Sequence, residues 1–362
     1  MEHSESKLRG VVSHFAIRGA VSGVERFGNG WINDTYRVGT SGSGPDYVLQ
    51  RVNHLVFADV ELVQENIRRV CDHIRRKCAA RGGDAARCTL TPVPTRDGRL
   101  CLFDGESWWR MTELIAGACS YEQLTPSLAC NTGRAFGDFH RMLTDLPGDP
   151  PGETIPGFHD MELRLRQLRQ AAEENRAGRL ERVRGLVDEL ERRAESMTEV
   201  GRLGRAGELP RRIVHGDTKV NNVLFDAGSG EVLCVIDLDT VMPGYVLEDF
   251  GDFVRSACNR GAEDDPEGAG VDMEIFRAFA RGYVEGAGDF LTPLERALLP
   301  FGGRLLTYMQ TVRFLTDYLQ GDTYYKILRP EHNLDRSRAQ FALLCDIERH
   351  EGPMNDFIAG LR

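Results

Sequence analysis

The order of apolar and polar residues near the middle of the chain predicts a β-hairpin with polar residues gathered at one end. Residues 223–225 and 232–236 are apolar runs, and the small residues Ala-Gly-Ser-Gly lie between them, which is the pattern of two strands joined by a short turn. Antiparallel pairing would bring Asn222 and Asp237 to the same end of this hairpin. We therefore expect an amide and a carboxylate close together there.

The residues before the hairpin predict a β-rich N-terminal region with one long helix. A short helix and a strand are expected within residues 8–27, and a glycine-containing turn then leads to a second strand. Residues 46–52 predict a third strand. Residues 59–76 have apolar residues at helical spacing, and Asp59 is a candidate cap for that helix. Further strand-like runs are expected at 90–94, 100–103 and 107–114.

The remaining residues predict mostly helices. Residues 128–146 have the pattern of a core helix, and the Arg-, Glu- and Leu-rich residues 160–199 predict one long exposed helix or a pair of helices. Asp252 precedes or enters a helix, where it either braces residues near Asp217 or caps the helix. Further helices are expected at 273–287, 293–319 and 335–350. A β-rich region followed by a helical region is the order of an α+β protein.

Composition limits the kind of protein that this chain encodes. Its 362 residues are enough for two lobes with a substantial core. The net charge of −10 argues against a nucleic-acid surface, and no apolar run is long enough to cross a membrane. The first residues lack a signal-peptide pattern, and the nine cysteines include no Cys-x-x-Cys pair. We therefore expect a cytoplasmic protein with reduced thiols and no obligate protein partner.

The polar residues around the hairpin suit phosphoryl transfer. Asp217 precedes Asn222 by five residues, Lys219 lies between them, and Asp237 follows the second strand. Phosphoryl transfer to a hydroxyl needs a carboxylate that accepts the proton of the nucleophile and oxygen ligands for Mg²⁺. The same residue types are common in plain turns. Their order and spacing, however, match the catalytic Asp, its Asn and the metal-binding Asp of protein kinases, which favours the kinase interpretation.

Candidate nucleotide-binding residues lie in the turn between the first two strands. Gly28 and Gly30, with Asn33 after them, form a glycine-rich turn. Because glycine has no side chain, the backbone N–H groups of such a turn can approach phosphates closely. A plain hairpin turn has the same pattern, but its position before a third strand and a helix favours a loop that covers the nucleotide.

The third strand lacks the lysine that kinases place there to pair with a helix glutamate. Gln50 and Arg51 are the candidates to replace it. Alternation puts them on opposite faces of the strand, so only one can reach the nucleotide, and we favour Arg51 for its charge. Glu65 is the best counterpart of the helix glutamate and Glu61 the second, although both could belong to an exposed acidic face.

Together these motifs resemble those of the aminoglycoside phosphotransferase and choline kinase superfamily, and within it those of the N-acetylhexosamine 1-kinases. The likeness extends over about residues 20–330. The shared motifs are Gly-Asn-Gly-x-Ile-Asn, Tyr-Val-Leu-Gln-Arg, His-Gly-Asp-Thr-Lys-x-Asn-Asn, Ile-Asp-Leu-Asp-Thr and Leu-Thr-Asp-Tyr-Leu-x-Gly-Asp-Thr-Tyr.

The resemblance implies a two-lobe, protein-kinase-like α+β fold. Residues 1–113 would form a nucleotide-binding lobe, and residues 114–362 a catalytic and substrate-binding lobe, with a linker near 112–117. Backbone groups of that linker would bind adenine, so Met111 and Glu113 are candidate nucleotide contacts. An ordinary core methionine is the simpler explanation of Met111.

The resemblance also implies ATP- and Mg²⁺-dependent phosphorylation of the anomeric hydroxyl of N-acetylglucosamine or N-acetylgalactosamine. Asp217 would be the base that contacts the sugar, and Lys219 would counter the charge of the γ-phosphate. The metal ligands would be Asn222 and Asp237, with Asp239 on a second ion. Arg313 and Tyr324 are candidate sugar contacts, and helix packing and a surface ion pair are the plain alternatives for them.

Two rival interpretations remain. A kinase of choline, homoserine, another sugar or an aminoglycoside would share the His-Gly-Asp and Ile-Asp-x-Asp motifs, which occur across the whole superfamily, whereas the C-terminal segment is the specific part. A non-catalytic nucleotide-binding regulator would explain the missing strand lysine, but it gives no reason for Asp217, Asn222 and Asp237 to occur together.

Overall fold

The structure is a computed structural model that describes residues 4–28, 32–121 and 124–361. The chain divides into two units, and each unit is assembled from three segments. The first unit contains Met1–Ser120, Asp145–Pro156 and Asn222–Met242, and the second contains Tyr121–Thr144, Gly157–Asn221 and Pro243–Arg362. The lobe boundary expected near residues 112–117 stays a prediction.

Among the described residues, six of the ten strands lie in the first third of the chain, and eight of the ten α-helices lie in the remainder. The strands are β1 (Ala20–Arg26), β2 (Asp34–Ser41), β3 (Tyr47–Val52), β4 (Leu102–Phe103), β5 (Trp108–Glu113), β6 (Ala118–Cys119), β7 (Arg212–Val214), β8 (Val223–Asp226), β9 (Val232–Val235) and β10 (Met242–Gly244). The α-helices are α1 (Glu5–Val12), α2 (Val60–Ala80), α3 (Pro126–Leu143), α4 (Met161–Glu174), α5 (Leu180–Met197), α6 (Glu199–Arg205), α7 (Val246–Ala257), α8 (Met273–Ala287), α9 (Pro293–Gln320) and α10 (His332–Gly360). Short 3-10 turns lie at Val220–Asn222, Leu238–Thr240 and Gly288–Phe290.

A five-stranded antiparallel sheet in the first unit has an apolar face and a polar face. Its strand order is β1-β2-β3-β5-β4. Leu49 of β3 pairs with Met111 of β5, and both are buried in a core that α1 completes. The next pair in register, Gln50 and Arg110, lies on the opposite face because successive strand residues alternate. Burial of each large apolar side chain stabilises this arrangement by about 1.5–3 kcal/mol.

The predicted central hairpin is confirmed. β8 and β9 pair antiparallel with Val223 opposite Val235, and β6 pairs with β8 on its other side. The N–H of Ile236 donates to the carbonyl oxygen of Asn222 at 2.8 Å. Asp237 follows with a left-handed φ of 59°, which ends the strand and turns the chain into a short 3-10 segment. The end of the hairpin therefore carries Asn222 and Asp237 together.

Helices of the second unit pack with their backbones in contact at glycines. A Cβ on Gly133 of α3 would lie 2.2 Å from a carbonyl oxygen of α8, and one on Gly282 of α8 would lie 1.9 Å from a carbonyl oxygen of α3. α7 and α9 meet in the same way, because a Cβ on Gly251 would lie 2.1 Å from the carbonyl oxygen of Gly302. No larger residue fits at these crossings without moving a helix.

Most of the predicted elements are confirmed, with one exception. Asp59 caps α2 by accepting from the N–H of Leu62 at 2.9 Å. Residues 160–199 form separate helices, and α4 ends at Asn175, whose φ of 40° is left-handed. The strand predicted at 90–94 is wrong. An isolated bridge from Pro92 to Thr112 takes its place, because the two prolines of this segment have no N–H to donate to a ladder.

Within the ranges that the structure describes, none of the helices combines the length and the apolar character needed to span a membrane.

Candidate active site

The loop that carries Asp217 is held by a buried carboxylate of α7. Asp249 is 1% exposed, and its carboxylate accepts from the backbone N–H of His215 at 2.6 Å and of Gly216 at 2.8 Å. Gly216 has a φ of 82°, a conformation that favours glycine. Nε2 of His140 lies 2.7 Å from the same carboxylate. His140 therefore belongs to the support of the loop.

A second carboxylate of α7 holds the other side of this loop. Asp252 accepts from the N–H of Thr218 at 3.0 Å and pairs with Arg255. The bracing role considered for Asp252 is confirmed. Because Asp249 and Asp252 are three residues apart on one helix, their carboxylates lie on the same helix face. Asp217 thus sits between two residues whose N–H groups are fixed.

Asp217 forms an ion pair with Lys219. Nζ of Lys219 lies 2.7 Å from Oδ1 of Asp217, and the two side chains are 45% and 25% exposed. Burial alone would raise the pKa of Asp217, but the Lys219 ammonium, with smaller contributions from His215 and Arg255, holds that pKa below its usual value. A carboxylate that remains charged at neutral pH can orient a hydroxyl and accept its proton.

Asn222 and Asp237 belong to the first unit, at the end of the β8–β9 hairpin. Their amide and carboxylate oxygens are the ligand types that Mg²⁺ prefers, and Mg²⁺ commonly takes one or two protein ligands with water and phosphate completing its shell. In the described part of the chain, no three His, Cys, Asp or Glu side chains gather as a metal site. The oxygen donors of Asn222 and Asp237 are compatible with Mg²⁺, and their role as metal ligands stays a prediction.

Asp239 lies in a buried polar network of the first unit. Its Oδ2 accepts from Nδ2 of Asn33 at 2.8 Å, and its Oδ1 is bonded to Nη1 of Arg110. Nε of Arg110 donates to Oε1 of Gln50 at 2.9 Å, and Oδ1 of Asn33 accepts from the N–H of Asn53 at 2.9 Å. Both carboxylate oxygens of Asp239 thus have partners, and the second-ion role expected for it stays a prediction.

Gln50 and Arg51 point to opposite faces of the sheet, as alternation predicts. Nε2 of Gln50 donates to the hydroxyl of Thr35 at 3.1 Å. Nε of Arg51 instead donates to Asp34 at 2.8 Å, and its side chain is 40% exposed. Arg51 is therefore already in an ion pair on the face away from Arg110, and its phosphate contact stays a prediction.

The other expected nucleotide contacts are distributed over the first unit. Gly28 has a φ of 71°, as a tight turn requires, and Gly30 lies outside the described residues. Met111 is a core residue beneath the sheet. Oε1 of Glu113 accepts from Arg18 at 2.7 Å, and Glu65 pairs with Arg68 within α2. These contacts leave the nucleotide roles as predictions.

Arg313 lies in a cluster of cationic and aromatic side chains in the second unit. Its guanidinium stands over the ring of Phe158 at 5.4 Å and over that of Tyr325 at 5.7 Å. Tyr324 packs edge-on against Tyr325 with ring centroids 4.8 Å apart and is 64% exposed. Arg164 donates to the backbone of Phe158 at 2.9 Å, and its Nε is buried without a hydrogen-bond partner in the described structure. The two predicted sugar contacts are thus brought together around Tyr325.

This cluster, defined as Phe158, Arg164, Arg313, Tyr324 and Tyr325, is cationic. Burial, and then the charge of Arg313, lowers the pKa of Arg164. Within the described residues, no carboxylate lies at salt-bridge distance from either guanidinium. The aromatic rings therefore stand beside two guanidinium groups that form no ion pair with a described carboxylate, and the charge of Asp160 raises the pKa of Arg164 only by a smaller amount than burial lowers it.

The segment after α9 is shaped by Asp317. This carboxylate is 2% exposed and accepts from the backbone N–H of Thr323, Tyr324 and Tyr325 at 2.8, 2.8 and 2.9 Å. Nδ2 of Asn333 also donates to it at 2.8 Å. Three consecutive N–H groups on one carboxylate fix the backbone that presents the two tyrosines.

Sequence reasoning missed four residues that the structure places in these assemblies, namely Arg110, Asp249, Arg164 and Asp317. Arg110 could have been found as a charged residue between Trp109 and Met111 in an otherwise buried strand, since charged residues are rarely buried without a partner. Asp317 lies within the Leu-Thr-Asp-Tyr-Leu motif, whereas Asp249 belongs to none of the motifs given above. The backbone N–H groups that they bind are six to eight residues after Asp317 and 33 or 34 residues before Asp249, so only the folded chain shows these contacts.

The chain is similar to known phosphotransferases. A model of the phosphotransferase enzyme family APH matches residues 23–298. An aminoglycoside phosphotransferase from Alicyclobacillus acidocaldarius is similar with a TM-score of 0.63 and 18% identity, over 98% of this chain and 96% of that one. Choline kinase from Cryptosporidium parvum gives 0.61 and 12% identity, over 98% and 99%. Spectinomycin phosphotransferase APH(9)-Ia, in complex with ADP and spectinomycin, gives 0.55 and 12%, over 95% and 100%.

The kinase-like α+β fold expected from the sequence is confirmed by these similarities. At 12–18% identity the solved structures support the fold alone. The match to the family model supports membership of a phosphotransferase family. Because that match covers well over half of the sequence, the chain belongs to the APH phosphotransferase enzyme family.

Proposed function

We propose that the protein is a small-molecule kinase that transfers the γ-phosphoryl group of ATP to the anomeric hydroxyl of an N-acetylhexosamine. The observation that carries the kinase function is Asp217, paired with Lys219 at 2.7 Å, on a loop whose neighbouring N–H groups are held by Asp249 and Asp252. Such a carboxylate is held in the charged form that a base requires, on a backbone that cannot easily rearrange.

A nucleotide as phosphoryl donor is supported by relatives. APH(9)-Ia is described in complex with ADP, and APH(2'')-Ib is ADP-bound. We assign Asn222 and Asp237 to the Mg²⁺ ion that accompanies the nucleotide, which neutralises phosphate charge when bound. Lys219 would face the γ-phosphate, and its pKa supports a full charge: burial lowers that pKa, but Asp217 and Asp252 together hold it above its usual value.

The reaction balances with these residues. The oxygen of the anomeric hydroxyl forms a bond to the γ-phosphorus while Asp217 accepts the proton of that hydroxyl. The bond between the γ-phosphorus and the oxygen that bridges it to the β-phosphorus breaks, and ADP leaves. An anomeric hydroxyl is more acidic than an ordinary alcohol, so a carboxylate of low pKa is a sufficient base. The products are the sugar 1-phosphate and ADP.

The cationic aromatic cluster supports a neutral sugar over a polycationic substrate. If the substrate binds at this cluster, Arg164 and Arg313 would repel the ammonium groups of an aminoglycoside or of choline, because like charges placed side by side oppose binding. The rings of Tyr324 and Tyr325 offer apolar faces, and the arginines offer donors to hydroxyl and acetamide oxygens. The runner-up is a kinase of another small hydroxyl compound, which the family also accommodates.

The substrate is tested by measuring ADP release with ATP, Mg²⁺ and a panel of acceptors. The panel holds N-acetylglucosamine, N-acetylgalactosamine, glucose, choline, homoserine and kanamycin. Turnover confined to the N-acetylhexosamines, with phosphorus NMR placing the phosphate on C1, is the expected result. Strong turnover with kanamycin or choline would refute the sugar while keeping the kinase. Bound ATP without turnover on any acceptor would favour a regulator.

The catalytic role is tested with Asp217→Asn. Loss of the base should lower kcat by about 10²–10⁴ while ATP affinity changes little. Asp188→Asn is the matched control, because Asp188 is an exposed carboxylate of α5 whose neutralisation should leave kcat unchanged. Wild-type kcat in Asp217→Asn would show that this carboxylate is not the base.

A further inference from the structure

Phosphate binding in kinases depends on a strand cation that a helix glutamate orients; this chain lacks the strand lysine, and its candidate helix glutamate, Glu65, is paired with another residue. Gln50 faces Arg110, Arg51 is bound to Asp34, and Glu65 is bound to Arg68. Arg110 itself is 5% exposed and lies on β5, directly across from Gln50. The polar face of the sheet therefore has a buried cation one strand away from the usual position.

We propose that Arg110 binds the phosphate groups of the nucleotide in place of the strand lysine, and that Asp239 positions its guanidinium as the helix glutamate would position the lysine. The inference rests on the proposed kinase function. Guanidinium has five N–H donors in a planar fork that matches phosphate geometry. Within the described residues, Gln50 and Asp239 use Nε and Nη1, which leaves the Nη2 edge of the fork for an anion.

Arg110 is connected to both segments that the phosphates would contact. Asp239 lies two residues after Asp237, the proposed magnesium ligand. Its second oxygen accepts from Asn33, the residue directly before β2 and a predicted nucleotide contact. The Asp239 carboxylate thus connects the Arg110 guanidinium to Asn33 and lies beside the proposed magnesium ligand. Both neighbouring positions are predicted to lie near the nucleotide phosphates.

Stability alone does not account for this choice of residues. Burying a guanidinium and a carboxylate costs solvation that their mutual attraction often only balances, and apolar residues of similar volume are often as stabilising. Arginine, in contrast, keeps its charge at every physiological pH and binds phosphate in a fixed geometry. A buried arginine whose orientation is set by Gln50 and Asp239 is better explained by an anionic ligand.

The test compares the affinities of ADP and adenosine by calorimetry, in EDTA so that no metal contributes. The ratio of the two affinities isolates the contribution of the phosphates, since both ligands share the nucleoside. Arg110→Gln should lower this ratio by about 10- to 100-fold, the loss expected for a charge-assisted hydrogen bond, with adenosine affinity retained. Arg37→Gln is the matched control, because this arginine of β2 is paired with Asp46 and has no part in the proposed site, so it should keep the wild-type ratio. Arg51→Gln is measured beside it as the rival phosphate contact.

Several outcomes separate the alternatives. If Arg110→Gln keeps the wild-type ratio of ADP affinity to adenosine affinity, the inference is overturned. The result is clearest if Arg51→Gln lowers that ratio instead. A purely structural role would lower the melting temperature, or weaken both ligands equally, with the ratio unchanged. If Arg110→Gln does not fold, the double variant Arg110→Gln/Asp239→Asn, which leaves no unpaired buried charge, is measured in the same way. Wild-type protein that binds neither ADP nor adenosine would instead refute the proposed kinase function.

Discussion

Replacement of Asp249 by asparagine tests the support of the Asp217 loop. In the native protein one carboxylate oxygen accepts from the N–H of His215 and from His140, and the other accepts from the N–H of Gly216. An asparagine has a single acceptor oxygen. In one amide orientation the NH₂ group faces the N–H of Gly216, and in the other it faces the N–H of His215 and His140. In both cases at least one buried donor loses its acceptor.

The magnitude follows from these contacts. A buried N–H left without a partner costs about 1–3 kcal/mol, and bonds to a charged acceptor are roughly twice as strong as neutral ones. We expect Asp249→Asn to lower the free energy of unfolding by about 2–4 kcal/mol. Because the displaced donors flank Asp217, we also expect kcat to fall by about 10- to 100-fold in protein that is fully folded.

Urea unfolding and initial-rate kinetics measure the two effects. Asp272→Asn is the control, because Asp272 accepts from two backbone N–H groups at the start of α8 but is partly exposed, and asparagine caps helices as well as aspartate does. It should change stability by less than about 0.5 kcal/mol. If Asp249→Asn also changes the free energy of unfolding by less than about 0.5 kcal/mol, the Asp249 carboxylate does not support the loop in the way proposed.

The effect should also depend on pH. Burial raises the pKa of Asp249, but the hydrogen bond and charge of His140, with His215, hold that pKa below its usual value. A carboxyl with a depressed pKa in the folded state stabilises the protein above its unfolded-state pKa of about 4, and this stabilisation is lost as the pH falls through the folded-state pKa. The stability difference between wild type and Asp249→Asn should therefore be constant near neutrality and shrink below about pH 4.

Two further predictions concern the charge pair and the helix crossings. Lys219→Met should move the acidic limb of the pH profile of kcat/KM to higher pH, because burial then raises the pKa of Asp217 without the opposing ammonium; an unmoved limb would show that another group sets it. Gly282→Ala should destabilise the protein by about 1–3 kcal/mol through its clash with α3, whereas Gly185→Ala, with open space around it on α5, should stabilise it by about 0.5–1 kcal/mol. Chemical denaturation measures the free energy of unfolding of both glycine variants. If Gly282→Ala and Gly185→Ala change it in the same direction, the packing argument is contradicted.

Local patterns were sufficient to predict the fold class and the central hairpin. Val223–Asp226 and Val232–Val235 pair as predicted, and α2 begins at the predicted cap, Asp59. These features depend on residues that are near in sequence, so periodicity and turn chemistry determine them. The strand predicted at 90–94 failed because the apolar pattern was given more weight than its prolines.

The candidate site was only partly predictable, because its supports come from distant segments. Asp217 and Lys219 are two residues apart and were recognised together. Arg110 meets Asp239 across 129 residues and Asn33 meets it across 206, and no spacing rule connects such positions. Alternation within β3 indicates Gln50 and Arg51 as replacements for the strand lysine, whereas the buried cation, Arg110, lies on the neighbouring strand β5.

The contact between Gly251 and Gly302 gives the catalytic loop a dependence on residues that have no polar chemistry. Gly251 lies between Asp249 and Asp252 on α7, and the carbonyl oxygen of Gly302 is already close enough to exclude a methyl group. A side chain at either glycine would displace α7, and both carboxylates would carry the backbone of the loop with them. In a mutational scan for activity, these two glycines should therefore be as intolerant of substitution as the acidic residues that they position.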